Sequence, residues 1–341
     1  MTAAPALPVR RTSALRTLWP LGVALVAVAT LSLFVGRYPD PFWTSPSLLW
    51  QDDLAARVVW SYRLPRILAA VLLGMSLAGG GIVLQTVFRN PLVEPGFLGV
   101  SQGAAFGASL AILGLGAGAS PLAVEAAAML FAVAGLALSA VIARRLRFGG
   151  WVLRLVLGGI AVSALFSAGV GIVKYLADPL AELPVITFWL LGGLSGISWQ
   201  AVVHLLPFVL PGLAVVLAMR WRLNLLSLQD ETAFSLGTAL TRERALVLAG
   251  AVAAVSAATA AAGIIGWVGL MVPHLARRAY GADSRIAVPA SLLIGAILVV
   301  ICDDVARTLL AGEIPLGIVT SLAGAAGFIV LMTRTTLRVP R

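Results

Sequence analysis

Lysine is almost missing from this chain. Lys174 is the one lysine among 341 residues, and VGIVKYL around it has nothing of a GxxxxGK[ST] loop, so ATP phosphates cannot be cradled by that route. Cysteine is as scarce: Cys302 stands alone, which excludes an internal disulfide and any thiolate cluster. Two histidines, His204 and His274, are too few for a histidine-rich metal site, and no metal ligand set is expected. Charged residues make up only 11% of the chain, where soluble domains carry about 25%. There is no HExxH, no Ser/His/Asp order with supporting loops and no carboxylate pair in a polar pocket, so no catalytic residue is assigned and the chain is not expected to be an enzyme.

What remains is apolar. Hydrophobic residues are 60% of the sequence and the mean hydropathy is +1.01, the composition of an all-α integral membrane protein. The net charge of +10 comes from 24 basic against 14 acidic residues. The basic residues are spread over short loops between apolar runs and form no stripe, which argues against nucleic acid; their meaning is topological.

Ten apolar runs are candidate spans: 18–35, 67–87, 98–115, 122–143, 152–176, 202–219, 245–262, 264–275, 286–305 and 314–332. The first is long enough to cross a hydrocarbon core and is read as a retained helix, not a cleaved signal, and Arg10–Arg11 is not read as a twin-arginine signal. With the N-terminus inside, eighteen of the 24 basic residues fall on the inner side, among them Arg144, Arg145, Arg220, Arg222, Arg242, Arg244, Arg277 and Arg278. Dropping 264–275, or adding Leu183 to Ile197 as a span, would throw several arginine clusters outward. The stretch 183–197 therefore reads as a half-inserted or surface helix on the outer side, with Trp189 and Trp199 as interfacial anchors. The expected plan is a cytoplasmic tail 1–17, one membrane domain 18–333 and a cytoplasmic tail 334–341, multi-pass in the cytoplasmic (inner) membrane.

The longest polar interruption, 220–244, falls on the inner side. Leu223, Leu225, Leu226, Leu228, Ala233 and Leu236 alternate there with Asn224, Gln229, Asp230 and Glu231, and Gly237 breaks the run. The pattern suits two short amphipathic helices with a turn at Gly237. A plain connecting loop is the alternative; on the ATP side of a membrane the same loop would be a docking surface for a separate motor.

Few charges lie well inside the spans. Asp303 and Asp304, Glu125 and Arg154 sit near span ends, which disfavours a proton- or sodium-coupled carrier. Arg63 and Arg66 stand where the outer loop meets the second span, with Pro65 fixing the start of that helix, and Arg307 lies at the outer end of the ninth span. They read either as snorkelling or pairing with Asp303 and Asp304, or as guanidinium forks for carboxylates of an external partner. Gly74 and the run Gly79–Gly81 read as close helix packing. No repeat is visible by eye; any duplication would be inverted.

Six stretches resemble, in order and spacing, the signatures of the FecCD family of ABC importer permeases, which move ferric siderophores, haem and cobalamin: RLPR (63–66), QTVFRNPLVEPGFLGVSQG (85–103), WLLGGLSGISW (189–199), LNLLSLQDETAFSLG (223–237), GIIGWVGLMVPHLARR (263–278) and DDVARTLLAGEIPLGIVTSLAGAAGF (303–328). The resemblance covers about residues 60–333. It implies a type II ABC importer permease with about ten transmembrane helices. Its implied partners are a second permease subunit (the same chain or a paralogue), two cytoplasmic ATPases carrying ATP and Mg, and an external or periplasmic binding protein, all at a lipid bilayer. No cofactor is implied for this chain itself. By the same resemblance the stretch Leu223–Gly237 is the coupling helix pair, and Arg63, Arg66 and Arg307 receive acidic residues of the binding protein. Gln85, Asn90, Pro91, Pro95, Gly99, Pro273, His274, Arg277, Pro315 and Gly317 are its structural or gating positions. The implied substrate is a ferric siderophore, with haem or cobalamin as alternatives; an ion-coupled secondary carrier and a signalling or scaffold subunit are the rivals. Gln229 departs from the family's glycine before Asp230, and Ala326 from a proline before Gly327, which leads to the expectation of a straighter last helix.

Overall fold

The computed structural model describes residues 14–39 and 42–333; of the expected tails, 1–13 and 334–341 lie outside them. Helix dominates because a lipid core offers no hydrogen-bond partners, and a helix satisfies its own backbone. The described residues begin with α1 (Ala14–Ser32) and a short antiparallel hairpin of β1 (Val35–Gly36) and β2 (Phe42–Trp43). Then come α2 (Leu48–Gln51), α3 (Asp53–Arg57), a π-turn over Val58–Arg63 and α4 (Leu64–Val87). A 3₁₀ turn at Pro95–Leu98 leads into α5 (Val100–Leu115), α6 (Pro121–Arg145), α7 (Trp151–Leu176), α8 (Glu182–Leu191) and α9 (Trp199–Ala218). The polar loop forms α10 (Arg220–Leu226) and α11 (Asp230–Ser235); α12 (Leu240–Ala262), α13 (Val268–Tyr280), α14 (Ser284–Thr308) and α15 (Leu316–Thr333) complete the chain. Side-chain caps start several of these helices: Ser120 accepts from the Ala123 N–H, Ser198 from Ala201 and Asp283 from Arg285, satisfying donors that the first turn leaves open.

Among the described residues six helices are long and apolar enough to cross a membrane: Asp53–Val87, Pro121–Arg145, Trp151–Leu176, Trp199–Ala218, Leu240–Ala262 and Ser284–Thr308. Thr17–Ser32, Val100–Leu115, Glu182–Leu191 and Leu316–Leu331 are shorter apolar helices.

Several boundaries differ from expectation. Pro65 does not open its helix, since the helical run starts at Asp53 and continues for 35 residues to Val87. The π-turn just before Leu64 carries the chain past the N–H that proline lacks. The run 264–275 is helical only from Val268, its first part being non-helical, and the helix then continues to Tyr280. The stretch 183–197 forms a helix only to Leu191, because Gly192 and Gly196 turn the backbone to φ +69° and +77°. The last helix is unbroken from Leu316 to Thr333.

α4 is the centre of the bundle. Its most apolar stretch is 83% buried, against 28% for α6 and 33% for α7, so α6 and α7 form the perimeter. α4 packs against α14, α12 and α13, and its glycines are the reason it can. A Cβ on Gly74 would run into the Gly295 carbonyl of α14, and one on Gly81 into the Gly269 carbonyl of α13. Lipid supplies little force to push apolar helices together, so such backbone contact carries the packing.

Gly81→Val is expected to destabilise the protein by about 3 kcal/mol, at the upper end of overpacking costs because the obstacle is backbone. Gly114→Val, whose added Cβ meets nothing within 4 Å, serves as the control. Thermal unfolding in detergent should show a lower Tm for the first and little change for the second.

Candidate functional site

The polar chemistry gathers at the two ends of the bundle. At the end that carries α10 and α11, Leu223, Leu226 and Ala233 are fully buried and root the loop in the bundle, with Leu225 half-buried. Leu228, Phe234 and Leu236 point outward, Phe234 being 75% and Leu236 56% exposed. The two short helices are present, but the break between them is at Ser227–Gln229, and Gly237, at φ +76°, closes the second helix instead of dividing the pair. Gln229 replaces a glycine at no cost, because its φ of −58° and ψ of 145° are open to any residue.

Polar ties fix this loop to three helices. Asn224 donates its amide to Asp283 Oδ1 (2.8 Å) and accepts the Ser284 N–H (2.8 Å), joining α10 to the start of α14. Arg222 pairs with Glu243 at the start of α12. Asp230 accepts from both terminal nitrogens of Arg244 at 3.0 and 2.7 Å, and also pairs with Arg89 just beyond α4. The Arg244 hydrogen bonds, reinforced by Arg89, hold the Asp230 carboxyl down to about 2. Arg244 also lies 5.5 Å from the ring centre of Trp151, a cation–π contact that orients the fork. Asp283 is likewise held at about 2, chiefly by Arg285 and then by Asn224. Asp230 stands out in the loop's sequence pattern, whereas Arg89 and Arg244 count there only towards sidedness and Phe234 is unmarked. Arg89 lies 141 positions from its partner, and no local pattern announces such a pair.

At the opposite end the three arginines are committed within the chain. Arg63, 5% exposed, donates to the Leu33 carbonyl (2.9 Å), Thr44 Oγ1 (2.9 Å) and the Tyr38 carbonyl (3.2 Å). It pins the β1–β2 hairpin to the π-turn. Arg66 grips Asp303 with Nε (3.0 Å) and Nη2 (2.8 Å) and also holds Glu313 at 3.1 and 2.5 Å. Arg307 pairs with Asp304 and donates to the Ser32 carbonyl (2.8 Å) and Oγ (2.6 Å). The pairing alternative thus describes Arg66 and Arg307, while Arg63 finds only neutral acceptors. Trp199, half exposed, donates its indole N–H to the Trp60 carbonyl (3.0 Å), whereas Trp189 packs against the core.

The remaining motif positions are mostly turns and braces. The Gln85 amide donates to the Gly269 (3.2 Å) and Leu270 (3.0 Å) carbonyls of α13, and its oxygen accepts from Arg277. Asn90 Oδ1 accepts the Leu92 N–H (2.9 Å) across the turn that contains exposed Pro91. Pro95 is buried against Gly80 and Gly269. Gly99, at φ +80°, starts α5 where a Cβ would press on Val162. Pro273 is buried inside α13, with His274 next to it half-buried. Pro315 precedes α15, and the Gly317 N–H reaches the Gly192 carbonyl (3.2 Å). Among the described residues no cluster of His, Cys, Asp and Glu has the makings of a metal site.

A profile of the FecCD transport family matches residues 24–334. The chain is 38% identical to the molybdate import system permease protein MolB of Haemophilus influenzae over 93% of this chain and 95% of that one. It is 39% identical to the vitamin B12 import system permease protein BtuC of Vibrio cholerae over 91% of each chain. A solved structure described as an inward-facing metal-chelate type ABC transporter superposes with a TM-score of 0.85 at 38% identity, covering 93% of this chain and 99% of that one.

Arg66→Ala would leave Asp303, whose side chain is 1% exposed, buried without its main partner, at an expected cost of about 3–5 kcal/mol. Adding Asp303→Leu should recover part of that loss; equal Tm values for single and double variants would refute the pairing. At the other end, Asp230→Asn should speed hydrogen exchange over 223–237 by up to roughly fivefold, since the pair is half exposed and worth at most about 1 kcal/mol. The folded-state pKa of Asp230 is depressed to about 2. The tie is therefore fully present above the unfolded value near 4 and lost as pH falls towards 2. Exchange over this loop should be flat from pH 5 to 8 after correction for intrinsic rates.

Proposed function

We propose, since the chain belongs to the FecCD transport family, that it is the membrane-spanning subunit of an ATP-driven importer in which α10 and α11 receive the motor. The observation that carries this reading is the contrast within the loop. Its root is tied by Asn224, Arg222 and Asp230 to α14, α12 and the end of α4, while Leu228, Phe234 and Leu236 stand uncovered at its tip. A rigid root with an apolar tip suits a part that is pushed by a partner and passes the push to the bundle. The nucleotide and its Mg sit on two separate ATPase subunits.

In this reading the chain crosses the cytoplasmic membrane ten times, both termini and the α10–α11 loop being cytoplasmic. α13 with the segment before it makes one crossing, and α8 stays on the outer side. A second permease chain completes a central path, and a binding protein delivers substrate from outside. For the outer arginines the proposal is narrower than the motif alone suggests. Arg63 and Arg307 shape the docking face through the hairpin and α1. Arg66 can receive an incoming carboxylate by exchanging Glu313, which is 29% exposed, while keeping buried Asp303. The same Arg66 grip speaks against a secondary carrier, because it gives Asp303 a fixed cation of the chain itself in the place a coupling ion would need.

A ferric siderophore is the proposed substrate, with cobalamin, haem or an oxyanion as the outcomes that would replace it. Uptake of labelled ferric siderophore, haem, cobalamin and molybdate by a deletion strain, with and without this chain and with the ATPase inactivated, separates these. Ferric siderophore uptake that requires both is expected. Loss confined to another substrate would change the cargo, and uptake that survives ATPase inactivation would overturn the class.

A further inference from the structure

A cavity of about 280 Å³, its wall mostly apolar but studded with polar side chains, opens where four elements meet at the Gln85 end of α4. Gln85, Arg89 and Asn90 come from α4 and the turn after it, Ser227 from the end of α10, Arg277 from α13 and Ser284 from the start of α14. Its charges do not balance. Arg89 and Arg244 share Asp230, and Asp283, next to Ser284, is held by Arg285. Arg277 donates to the neutral Gln85 oxygen, and among the described residues no carboxylate stands within ion-pair distance of it. Gln85 in turn is locked, because its amide is held by two carbonyls of α13. The guanidinium is thus positioned by a neutral acceptor, with N–H groups left to turn on the cavity. A snorkelling arginine, by contrast, would be loosely held.

The other polar groups of the cavity are matched to an anion. Asn90 spends its oxygen on the Leu92 N–H, so its amide nitrogen is the end left to donate. Ser284 gives its backbone N–H to Asn224, and its hydroxyl has no acceptor among the described residues. A half-buried cation whose counter-charge is missing, beside uncommitted neutral donors, is stabilised by an anion that accepts from all of them. We infer that this cavity binds a small tetrahedral oxyanion of the phosphate or molybdate kind through Arg277, Asn90 and Ser284, either free in solution or as a lipid headgroup phosphate. The proposed sidedness enters only in saying which compartment or leaflet supplies the anion; the site itself is read by binding.

The test uses the purified full chain in nanodiscs of phosphatidylcholine, and separately in discs containing phosphatidylglycerol, with radiolabelled inorganic phosphate and molybdate in equilibrium dialysis. Saturable binding in phosphatidylcholine discs is expected, weakened about tenfold or more by Arg277→Gln, as suits the loss of a charge-assisted hydrogen bond. Arg277→Lys should fall between the two and Asn90→Ala should lose severalfold, so the site stays testable if one variant folds poorly. Arg144→Gln, at the far inner end of α6, should bind as the parent does. Binding retained in both discs identifies a soluble oxyanion, and binding lost only in phosphatidylglycerol identifies the headgroup as occupant. No saturable binding in phosphatidylcholine, or equal weakening by Arg277→Gln and Arg144→Gln, overturns the inference.

Discussion

Backbone-to-backbone contact along α4 is the constraint on which the rest of this structure depends. In water, apolar side chains would drive such helices together; in lipid they gain little by leaving one apolar surroundings for another, and close van der Waals contact has to do the work. Gly74 meeting Gly295 and Gly81 meeting Gly269 bring α4 against α14 and α13 without intervening side chains. Any side chain at either crossing would separate the helices along their length. The polar ends of the bundle are placed by that central contact, since both the Arg66–Asp303 pair and the Gln85–Arg277 pair link α4 to the same two helices.

The two ends are built differently around this axis. At the Arg66 end the charges close on one another: Asp303, Asp304 and Glu313 face Arg66 and Arg307, and Arg63 is saturated by a hydroxyl and two carbonyls. Removing one member of such a set strands a buried charge, so the end resists partial rearrangement. At the α10–α11 end the ties run from a short loop to three separate helices, and the tip is apolar and uncovered. The loop is thereby tied at once to α14, α12 and the turn after α4.

The local features were legible in the sequence. Glycines at helical spacing, a leucine-rich polar loop and the motif order led to the membrane bundle, the short helices of the loop and the packing role of Gly74–Gly81. Illegible features depend on partners far apart in the chain. Arg63 in SYRLPRIL carries no sign that it will fold back on Leu33, Tyr38 and Thr44; for Arg66 the sequence offers Asp303 as one alternative partner but not the second grip on Glu313. The π-turn before Pro65 was invisible for a related reason, since proline marks a missing donor but not whether the helix stops or widens to pass it. Phe234 does not stand out in the sequence because its neighbours in the pattern are leucines, and exposure distinguishes it only after folding.

The Gln85 end of α4 shows how one residue can serve packing and polarity at once. Gln85 has a single amide group, and each end of it is spent on α13: the nitrogen on two carbonyls, the oxygen on Arg277. An apolar residue there would leave those carbonyls with one donor fewer and the guanidinium without its guide; a carboxylate would neutralise Arg277 but lose both carbonyls. Only a side chain that donates and accepts can brace α13 while leaving the arginine's charge unspent. That unspent charge lies beside Ser227 and Ser284, where α10 meets α14. A group that settles on it therefore touches both α10 and α14, which Asn224 ties together.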